Sequence, residues 1–584
     1  SRYKRKIIEA YAANRIERSY SKAQILEHYL NRVYFGSGCY GIQSAAKGFF
    51  GKDVKDLTVE EAASLACVLK NPNAMSPRAH PKDHLKWRNH VLDRMHEERF
   101  ITASDRDELK AKPIVLAQKA ADPRLTYVYE EVRQQAEKII GEEASQIGGF
   151  NIYTSIDRQL QAAAQESVLK RLAAVESQKD YPHQTFAKYR AQMDDYRTKI
   201  NSKAISPETP RPTAEYLQAS ALVIDDRDGG ILALVGGRDF VDSMFDRALQ
   251  MRRPVGTAFI PFVYAAAFQH PDFFPAYQIE DGPLDNKRVM IGGTTGKLGE
   301  WGTEQPETIY GASITAREAL LQGRNAATVR LAEKVTLPTL KELAEKAGIK
   351  SPLRDYPSSY LGVSEARLDE MCLAYTIFPN GGKRPKEVNL IKRITDSAGK
   401  VIYQIKDDED ELVPVIDEIA AYQTNACLND ALTRGTGRLA YSEYGLDKFP
   451  AGGKTGTQYG FTDLWFLGYT SAITCGVWCG FDQQKPVYEG AFSNRIALPI
   501  WSDIVGATAK NYKPQPFAQP QDVQIVEVCK KSGMRATDAC YEKVPDALHA
   551  NTKSIRDTYQ EVLRPRSVFD NYCTMHSGTN IPHE

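Results

Sequence analysis

Two stretches decide the fold of the C-terminal half of this chain: residues 451–457, Ala451-Gly452-Gly453-Lys454-Thr455-Gly456-Thr457, and residues 464–469, Leu464-Trp465-Phe466-Leu467-Gly468-Tyr469. They read as adjacent strands. Upstream, the apolar runs 221–224 and 231–235 are joined by Asp-Asp-Arg-Asp-Gly-Gly, which predicts a hairpin. Residues 256–268 read as an apolar helix. Strands mixed with helices predict an α+β domain over residues 215–515.

Length and composition limit the class of protein. A chain of 584 residues is too long for one core, so two large domains plus connectors are expected. Its net charge of +1 gives no overall positive potential that would attract nucleic acid, so we exclude nucleic acid as a partner. The sequence contains no run of about eighteen apolar residues, which is the length that a membrane-spanning helix needs. The chain opens on Ser1 without Met or a signal peptide. It reads as though it begins inside a domain, and we expect a fragment whose membrane helix is missing.

The remaining segments are assigned by pattern. Residues 1–115 carry apolar residues at helical spacing and a capping box, Thr58 to Glu61, which predicts a helix over 59–70. Residues 116–214 are interpreted as a linker region of mixed character. Residues 149–154 alternate like a strand, and a helical stretch is expected from Arg158. The polar stretch 178–214, with three prolines near its end, is interpreted as a linker or an insertion.

Residues 516–584 are expected to form a C-terminal tail. A disulfide between Cys529 and Cys540 is plausible there in an oxidising compartment. A zinc site is the less favoured alternative, because neither a Cys-x-x-Cys pair nor a pair of histidines lies near these cysteines. Cys475 and Cys479, four residues apart on a predicted strand, face the same side and are interpreted as core residues.

The Lys-Thr-Gly-Thr of residues 454–457 lacks its usual chemical partners. In serine acyl-transferases such a strand works with a helix carrying Ser-x-x-Lys, in which the hydroxyl attacks and the amine takes its proton. Here the helix has Thr257 and Ile260 at those positions. Ile260 cannot accept a proton, and the extra methyl group of Thr257 crowds the attack. Loss of one member of such a unit costs roughly 10³-fold or more.

The second element of such a site, Ser-x-Asn, is also incomplete. The best candidate is Gly323-Arg324-Asn325, where the serine is replaced and Asn325 remains. We therefore predict a site that does not acylate, with Thr257 as a doubtful nucleophile. Asn325 and the segment Lys454, Thr455, Gly456 and Thr457 could still bind a substrate carboxylate without covalent chemistry.

These residues and their context resemble the transpeptidase domain of class A penicillin-binding proteins. The resemblance covers roughly residues 215–515 and includes Arg252-Arg253-Pro254-Val255-Gly256, Pro261-Phe262-Val263-Tyr264 and Phe378-Pro379-Asn380-Gly381-Gly382. It implies a penicillin-binding fold for this domain, with peptide stems as ligands.

The N-terminal residues resemble the glycosyltransferase domain that precedes the transpeptidase in the same family. Ordered matches run through residues 1–77: Arg5-Lys6-Ile7-Ile8-Glu9, Ile25 to Asn31, Tyr34-Phe35-Gly36, Gly41 to Ala46, Phe49 to Lys52, and Glu61 to Leu69 with Pro72 and Ser76-Pro77. The resemblance implies a helical, lysozyme-like domain, of which residues 1–115 are the C-terminal part. It also implies polymerisation of a lipid-linked disaccharide-peptide into glycan strands for the cell wall.

The resemblance assigns roles to three residues of this first segment. Arg5 and Lys6 would contact the leaving pyrophosphate, and Glu9 matches the second essential glutamate of the family. No tightly bound cofactor is implied, although Glu9 could act through a divalent ion, Mg²⁺ or Mn²⁺. The plainer interpretation is that Arg5 and Glu9, at i and i+4, are an exposed helix pair worth a few tenths of a kcal/mol.

One element of the family is absent from the sequence. The first catalytic glutamate precedes the Arg-Lys-x-x-Glu motif, and no residues are present to hold it, so we expect polymerisation only from a longer parent protein. The implied location is the extracytoplasmic, periplasmic face of the bacterial cytoplasmic membrane, with other cell-wall synthesis proteins as partners. Two alternatives remain: a non-catalytic scaffold that binds peptide, and a transpeptidase that uses Thr257.

Overall fold

The chain folds into two compact units, residues 1–125 and 126–584. The structure is a computed structural model that describes residues 2–36, 39, 41–72, 74–117, 126–142, 144, 149–206, 208–285, 297–298, 309–396, 398–405, 411–446, 449–509, 511–545 and 552–576. In those ranges, no helix has the length and the apolar character that a bilayer crossing needs.

The first unit is helical, as the sequence predicts. Its helices are α1 (Arg2–Ser19), α2 (Lys22–Leu30), α3 (Ile42–Phe50), α4 (Val59–Val68), α5 (Pro81–Glu97) and α6 (Ala103–Ala111). The predicted capping box is present, since the Thr58 side chain and the Glu61 side chain cap each other's backbone N–H. The helix it opens ends at Val68, two residues before the predicted end. The core under these helices contains Phe35, Phe49 and Leu65.

The helices of the second unit surround a central sheet. They are α7 (Tyr127–Ile140), α8 (Arg158–Glu176), α9 (Phe186–Asn201), α10 (Ile260–Phe268), α11 (Ala316–Gln322), α12 (Asn325–Val335), α13 (Leu337–Ala347), α14 (Leu368–Tyr375), α15 (Glu418–Thr433), α16 (Leu439–Ser442) and α17 (Ser493–Thr508). A 3₁₀ turn, Gly256–Phe259, leads directly into α10.

The strands are numbered along the chain. They are β1 (Phe150–Thr154), β2 (Gln218–Asp225), β3 (Ile231–Val235), β4 (Arg253–Pro254), β5 (Gln278–Glu280), β6 (Leu284–Asp285), β7 (Lys297–Leu298), β8 (Ser313–Thr315), β9 (Glu365–Ala366), β10 (Lys383–Arg384), β11 (Ile391–Asp396), β12 (Val401–Gln404), β13 (Val413–Pro414), β14 (Gly452–Thr457), β15 (Asp463–Tyr469), β16 (Ile473–Gly480), β17 (Gln524–Cys529), β18 (Tyr541–Pro545), β19 (Thr552–Arg556) and β20 (Thr558–Leu563).

The central sheet has the order β14-β15-β16-β2-β3, and every neighbouring pair is antiparallel. This arrangement confirms the predicted hairpin of β2 and β3 and the pairing of β14 with β15. Alternate residues enter two cores: one with α8 and α17 on one face, and one with α10, α14 and α15 on the other. Because both faces are covered, the strands read as continuous apolar runs. Cys475 and Cys479 lie in the first of these cores, as predicted.

The strand predicted over 149–154 and the helix predicted from Arg158 are confirmed as β1 and α8. The interpretation of residues 116–214 as a linker region is wrong for the part described from residue 126 onward, which belongs to the second unit. Helix α8 packs on the sheet through Leu160, Val168 and Leu172, all buried in the same core as β2 and β3. Helix α9 has a polar surface and buries only Tyr189 and Met193. A helix with so narrow an apolar stripe resembles a linker in its composition, which explains the error.

The C-terminal segment is also more ordered than a tail. Strands β17 and β20 pair with each other, as do β18 and β19. Cys529 and Cys540 are free thiols in the structure, so the predicted disulfide between them is not formed.

A buried ion pair joins this segment to the helices of the second unit. The Arg317 guanidinium on α11 donates to the Glu561 carboxylate on β20, with N–O distances of 2.8, 2.9 and 3.1 Å. It also donates to Asp430 on α15 at 2.8 Å. Both Arg317 and Glu561 are buried. Such a pair tolerates the loss of either partner poorly, because the remaining charge stays in an apolar surrounding.

We expect Arg317→Met to destabilise the second unit by about 3–5 kcal/mol, because it leaves Glu561 buried and uncompensated. The matched control is Arg434→Met. Arg434 pairs with the same Asp430 but its side chain is 46% exposed, so the control should cost less than about 1 kcal/mol. Urea unfolding followed by tryptophan fluorescence measures both. Equal effects of the two changes would show that the pair with Glu561 does not stabilise the fold.

Candidate functional site

The candidate site lies where β14 meets the 3₁₀ turn that begins at Gly256. The backbones touch almost without intervening side chains: a Cβ added at Gly456 would lie 2.6 Å from the Val255 carbonyl oxygen, and one added at Gly256 would lie 2.9 Å from the Thr457 carbonyl. Gly256 also has φ +60°, a conformation that favours glycine. Glycine at both positions therefore lets the strand and the turn approach closely.

Thr257 is held at this contact by a hydrogen bond to backbone. Its Oγ1 donates to the Thr455 carbonyl oxygen at 3.0 Å, and the residue is buried. A carbonyl oxygen accepts a hydrogen bond but cannot remove the proton. In the part of the chain that the structure describes, no side-chain base is hydrogen-bonded to Thr257. Ile260 lies fully buried in the apolar core. The described hydrogen bond therefore positions the hydroxyl and provides no base for it.

Lys454 shares the same carbonyl. Its Nζ donates to the Thr455 carbonyl oxygen at 3.0 Å and to Thr455 Oγ1 at 3.4 Å. The side chain is buried, and none of the described carboxylates forms an ion pair with it. Burial lowers the pKa of this lysine from its usual 10.5 to about 7. The amine is therefore close to half-protonated at neutral pH.

Two hydroxyl contacts fix the remainder of the strand. Thr455 Oγ1 donates to Thr436 Oγ1 at 3.1 Å. Thr457 Oγ1 lies 2.8 Å from Ser493 Oγ, which in turn donates to the Gly456 carbonyl oxygen at 2.8 Å. Sequence reasoning missed Thr436 and Ser493. The only signal for Thr436 is its place between Gly435 and Gly437 in a tight turn, and Ser493 has no local signal beyond its place at the start of α17.

The predicted Ser-x-Asn element lies beside the strand. Gly323 ends α11 in the left-handed conformation, and a Cβ added there would lie 3.9 Å from Lys454 Nζ and 3.8 Å from Thr436 Cγ2. Asn325 is buried at the start of α12. The structure thus brings the turn, through Gly323, to the amine of Lys454. A binding role for Asn325 stays a prediction.

An ion pair and two hydrogen bonds from tryptophan rings position the turn against β15. The Arg253 guanidinium donates to Asp463 Oδ1 at 2.7 Å, and the Trp478 Nε1 donates to the same oxygen at 2.9 Å. The Trp465 Nε1 donates to the Pro254 carbonyl oxygen at 2.9 Å. These bonds hold the backbone just before Gly256 against β15, so the register between turn and strand is fixed.

The predicted residues of the first unit lie on one helix. Arg5, Lys6 and Glu9 belong to α1, where Arg5 and Glu9 are one helical turn apart on one face. Lys6 is exposed. The side chains of Arg5 and Glu9 lie outside the described part of the structure, so their roles stay predictions.

Glu61 forms a second polar cluster in the first unit. Lys52 Nζ donates to its two carboxylate oxygens at 2.9 and 3.0 Å, and the Thr58 backbone N–H donates at 2.9 Å. Burial alone would raise the pKa of Glu61, but these donors outweigh it and hold the pKa below its usual value. The cluster borders a cavity of about 340 Å³ that also touches Glu60 and Arg88. Glu61 is therefore an ionised helix cap with a lysine partner.

Two family profiles match the chain. The profile described as "Transglycosylase" matches residues 1–96, and that described as "Penicillin binding protein transpeptidase domain" matches residues 219–502. The first covers α1 to α5 and the second covers the central sheet with the candidate site.

Curated relatives match over nearly the whole chain. "Penicillin-binding protein 1A" of Aquifex aeolicus is 31% identical, over 93% of this chain and 78% of the relative. "Penicillin-binding protein 2D" of Bacillus subtilis is 29% identical, over 93% and 72%. In fold, the chain is similar to the crystal structure of penicillin-binding protein 1A from Haemophilus influenzae. That match has a TM-score of 0.68 at 22% identity, and it covers 94% of this chain and 92% of the other.

The pKa of Lys454 predicts a pH dependence of stability. Between about pH 7 and pH 10.5 the unfolded chain binds a proton that the folded chain does not. The free energy of unfolding of the wild type, measured relative to Lys454→Met, should therefore rise with pH in this window by about 1.4 kcal/mol per pH unit. Below about pH 7 the difference should stay constant.

Urea unfolding of the two proteins at a series of pH values makes this measurement. The difference between wild type and variant removes the contribution of the buried tyrosines and cysteines, which both proteins share. If the free energies of unfolding of the two proteins changed with pH in parallel throughout the window, the pKa of Lys454 in the folded state would not be depressed.

Proposed function

Because the chain belongs to the class A penicillin-binding proteins, we propose that only one of its two units carries out a reaction of that family. The first unit takes part in polymerising lipid-linked disaccharide-peptide into glycan strands, and the second unit binds peptide stems without acylating. The observation that carries this division is the hydrogen bond from Thr257 Oγ1 to the Thr455 carbonyl oxygen. With Ile260 in the position of the base, no side-chain base in the described part of the chain is hydrogen-bonded to this hydroxyl.

The chemistry of the first unit depends on cationic and carboxylate groups on one helix face. Joining a sugar hydroxyl to an anomeric carbon requires a base for the hydroxyl and positive charge for the departing pyrophosphate. In this proposal Arg5 and Lys6 bind the pyrophosphate and Glu9 lies near it. A divalent ion, Mg²⁺ or Mn²⁺, could assist Glu9, and no tightly bound cofactor is expected for this reaction.

The second unit would recognise a carboxylate through β14. Lys454 provides partial positive charge and Thr455 a hydroxyl, but both are buried and Thr455 already donates to Thr436. A stem carboxylate would have to break this hydroxyl contact to bind, so the proposed binding is weak and reversible. Protonation of Lys454 on binding would favour the anion.

The proposed location is the extracytoplasmic face of the bacterial cytoplasmic membrane. Lipid-linked precursor, the membrane itself and other cell-wall synthesis proteins are the proposed partners. The support is family membership, since the substrate of such a polymerase carries a lipid anchor and is presented at that surface.

We expect Glu9→Gln in the full-length protein to lower the rate of glycan formation by about 10²-fold or more, because the amide can neither carry negative charge nor accept a proton. Glu17→Gln is the matched control: it makes the same change on the same helix at an exposed glutamate paired with Lys22. Incorporation of labelled lipid-linked precursor into polymer measures both rates. An unchanged rate in Glu9→Gln would remove Glu9 from the reaction. A wild-type protein without any polymerisation would favour the scaffold alternative.

A labelled β-lactam should leave the intact mass of the protein unchanged, because Thr257 lacks a proton acceptor. The control is an acylating penicillin-binding protein treated in the same way. A stable adduct on the wild type that disappears in Thr257→Val would contradict the proposal and favour a transpeptidase using Thr257. In that case Lys454, which contacts the same carbonyl, would be the candidate base.

A further inference from the structure

Four metal-binding side chains converge in the C-terminal segment. They are Cys529, Cys540, Cys573 and His576, and their ligand atoms all lie within 4.8 Å of one another. The Cys529 and Cys573 sulfurs are 3.6 Å apart, and the His576 Nδ1 lies 3.5 Å from the first and 3.4 Å from the second. The three cysteines are buried.

Backbone hydrogen bonds bring these residues together from three parts of the segment. Cys529 ends β17 and starts a tight turn, in which the Gly533 N–H donates to the Cys529 carbonyl oxygen at 2.8 Å. The Asp557 N–H donates to the Cys540 carbonyl oxygen at 3.0 Å, and the Cys573 N–H donates to the Arg535 carbonyl oxygen at 2.9 Å. The cluster is therefore fixed by the fold of the backbone.

The spacing of the Cys529, Cys573 and His576 donors matches a mononuclear tetrahedral ion, and the Cys540 sulfur lies within 4.8 Å of all three. Zinc bonds of about 2.3 Å to sulfur and about 2.05 Å to nitrogen place two sulfurs about 3.8 Å apart, and a sulfur and a nitrogen about 3.6 Å apart. A disulfide would require about 2.05 Å between sulfurs. A polynuclear iron–sulfur cluster would need room for inorganic sulfide at the centre, which four donors this close together do not leave.

We propose that Cys529, Cys540, Cys573 and His576 form a structural zinc site of the Cys₃His type. Four protein ligands complete a tetrahedral shell and leave no position for water or substrate, which is the arrangement of structural rather than catalytic zinc.

One of the sulfurs also accepts a hydrogen bond from the backbone. The Thr537 N–H donates to the Cys540 sulfur at 3.3 Å. A hydrogen bond of this kind orients a thiolate ligand and stabilises its negative charge.

Apart from the buried pair of Glu561 with Arg317, the described residues of the segment have only a small core of their own. Its strands form two separate two-stranded sheets, and an isolated pair of strands is marginally stable in water. Its apolar contacts are a small cluster of Val528 and Leu563 with Phe274 and Ala276. A metal ion provides the cross-links that so small a core lacks. Through β20 it would also hold Glu561 against Arg317.

The test is metal analysis of the full chain, purified without an affinity tag or chelator. We expect one zinc ion per chain in the wild type, and loss of most of that zinc in Cys573→Ser and in His576→Ala. His576→Cys should retain zinc, because a fourth thiolate replaces the imidazole. Cys39→Ala, which removes a buried thiol of the first unit, is the matched control and should retain zinc as well.

A second measurement on the wild type does not depend on the folding of variants. Removing the metal with a chelator should make three further thiols reactive, lower the unfolding temperature, and allow cobalt(II) to bind with the visible spectrum of a tetrahedral thiolate complex. Wild-type protein without zinc would overturn the proposal, whether its cysteines are free or peptide mapping finds a disulfide among Cys529, Cys540 and Cys573. Zinc retained in both Cys573→Ser and His576→Ala would overturn it too.

Discussion

The close approach of two backbones, at Gly456 and Gly256, is the constraint on which the candidate site depends. Because neither residue has a side chain, β14 can lie directly against the turn that carries Thr257. The sheet holds the strand from one side, and the bonds of Arg253 and Trp465 hold the turn from the other. The site geometry is therefore a property of the whole second unit, and it persists without the side chains that acyl transfer requires.

The charge of Lys454 also depends on its buried position in the site. Lys454 is buried without a described carboxylate partner, and its pKa falls to about 7. A group that stays charged would be costly at this position, whereas an amine that can release its proton is tolerated. The Thr455 carbonyl satisfies both the amine and the Thr257 hydroxyl. One backbone oxygen thus organises the polar groups at the centre of the site.

Local sequence patterns predicted the parts of the fold that depend on local causes. The apolar runs of β2, β3, β14 and β15, the helix after Gly256 and the Thr58 capping box were all predicted correctly, because each follows from residues close in sequence. The contact of Gly323 with Lys454 followed from resemblance, since the two residues are far apart in the chain. Helix α9 was missed, because its two buried residues give little apolar periodicity. The sequence favours a disulfide over zinc, because neither a Cys-x-x-Cys pair nor a pair of histidines lies near Cys529 and Cys540. His576, three residues after Cys573, completes the set only when the chain has folded.

The burial of Ile260 limits how the second unit could evolve. To acquire the acylating set, the chain would need a serine at 257, a lysine at 260 and a serine at 323. A lysine at 260 would bury an amine in a fully apolar core, and a side chain at 323 would occupy a left-handed backbone position that favours glycine. Each of these two changes alone costs stability from a margin of about 5–15 kcal/mol and gains no activity by itself. Single mutations toward that set therefore lower the stability of the second unit before the set is complete.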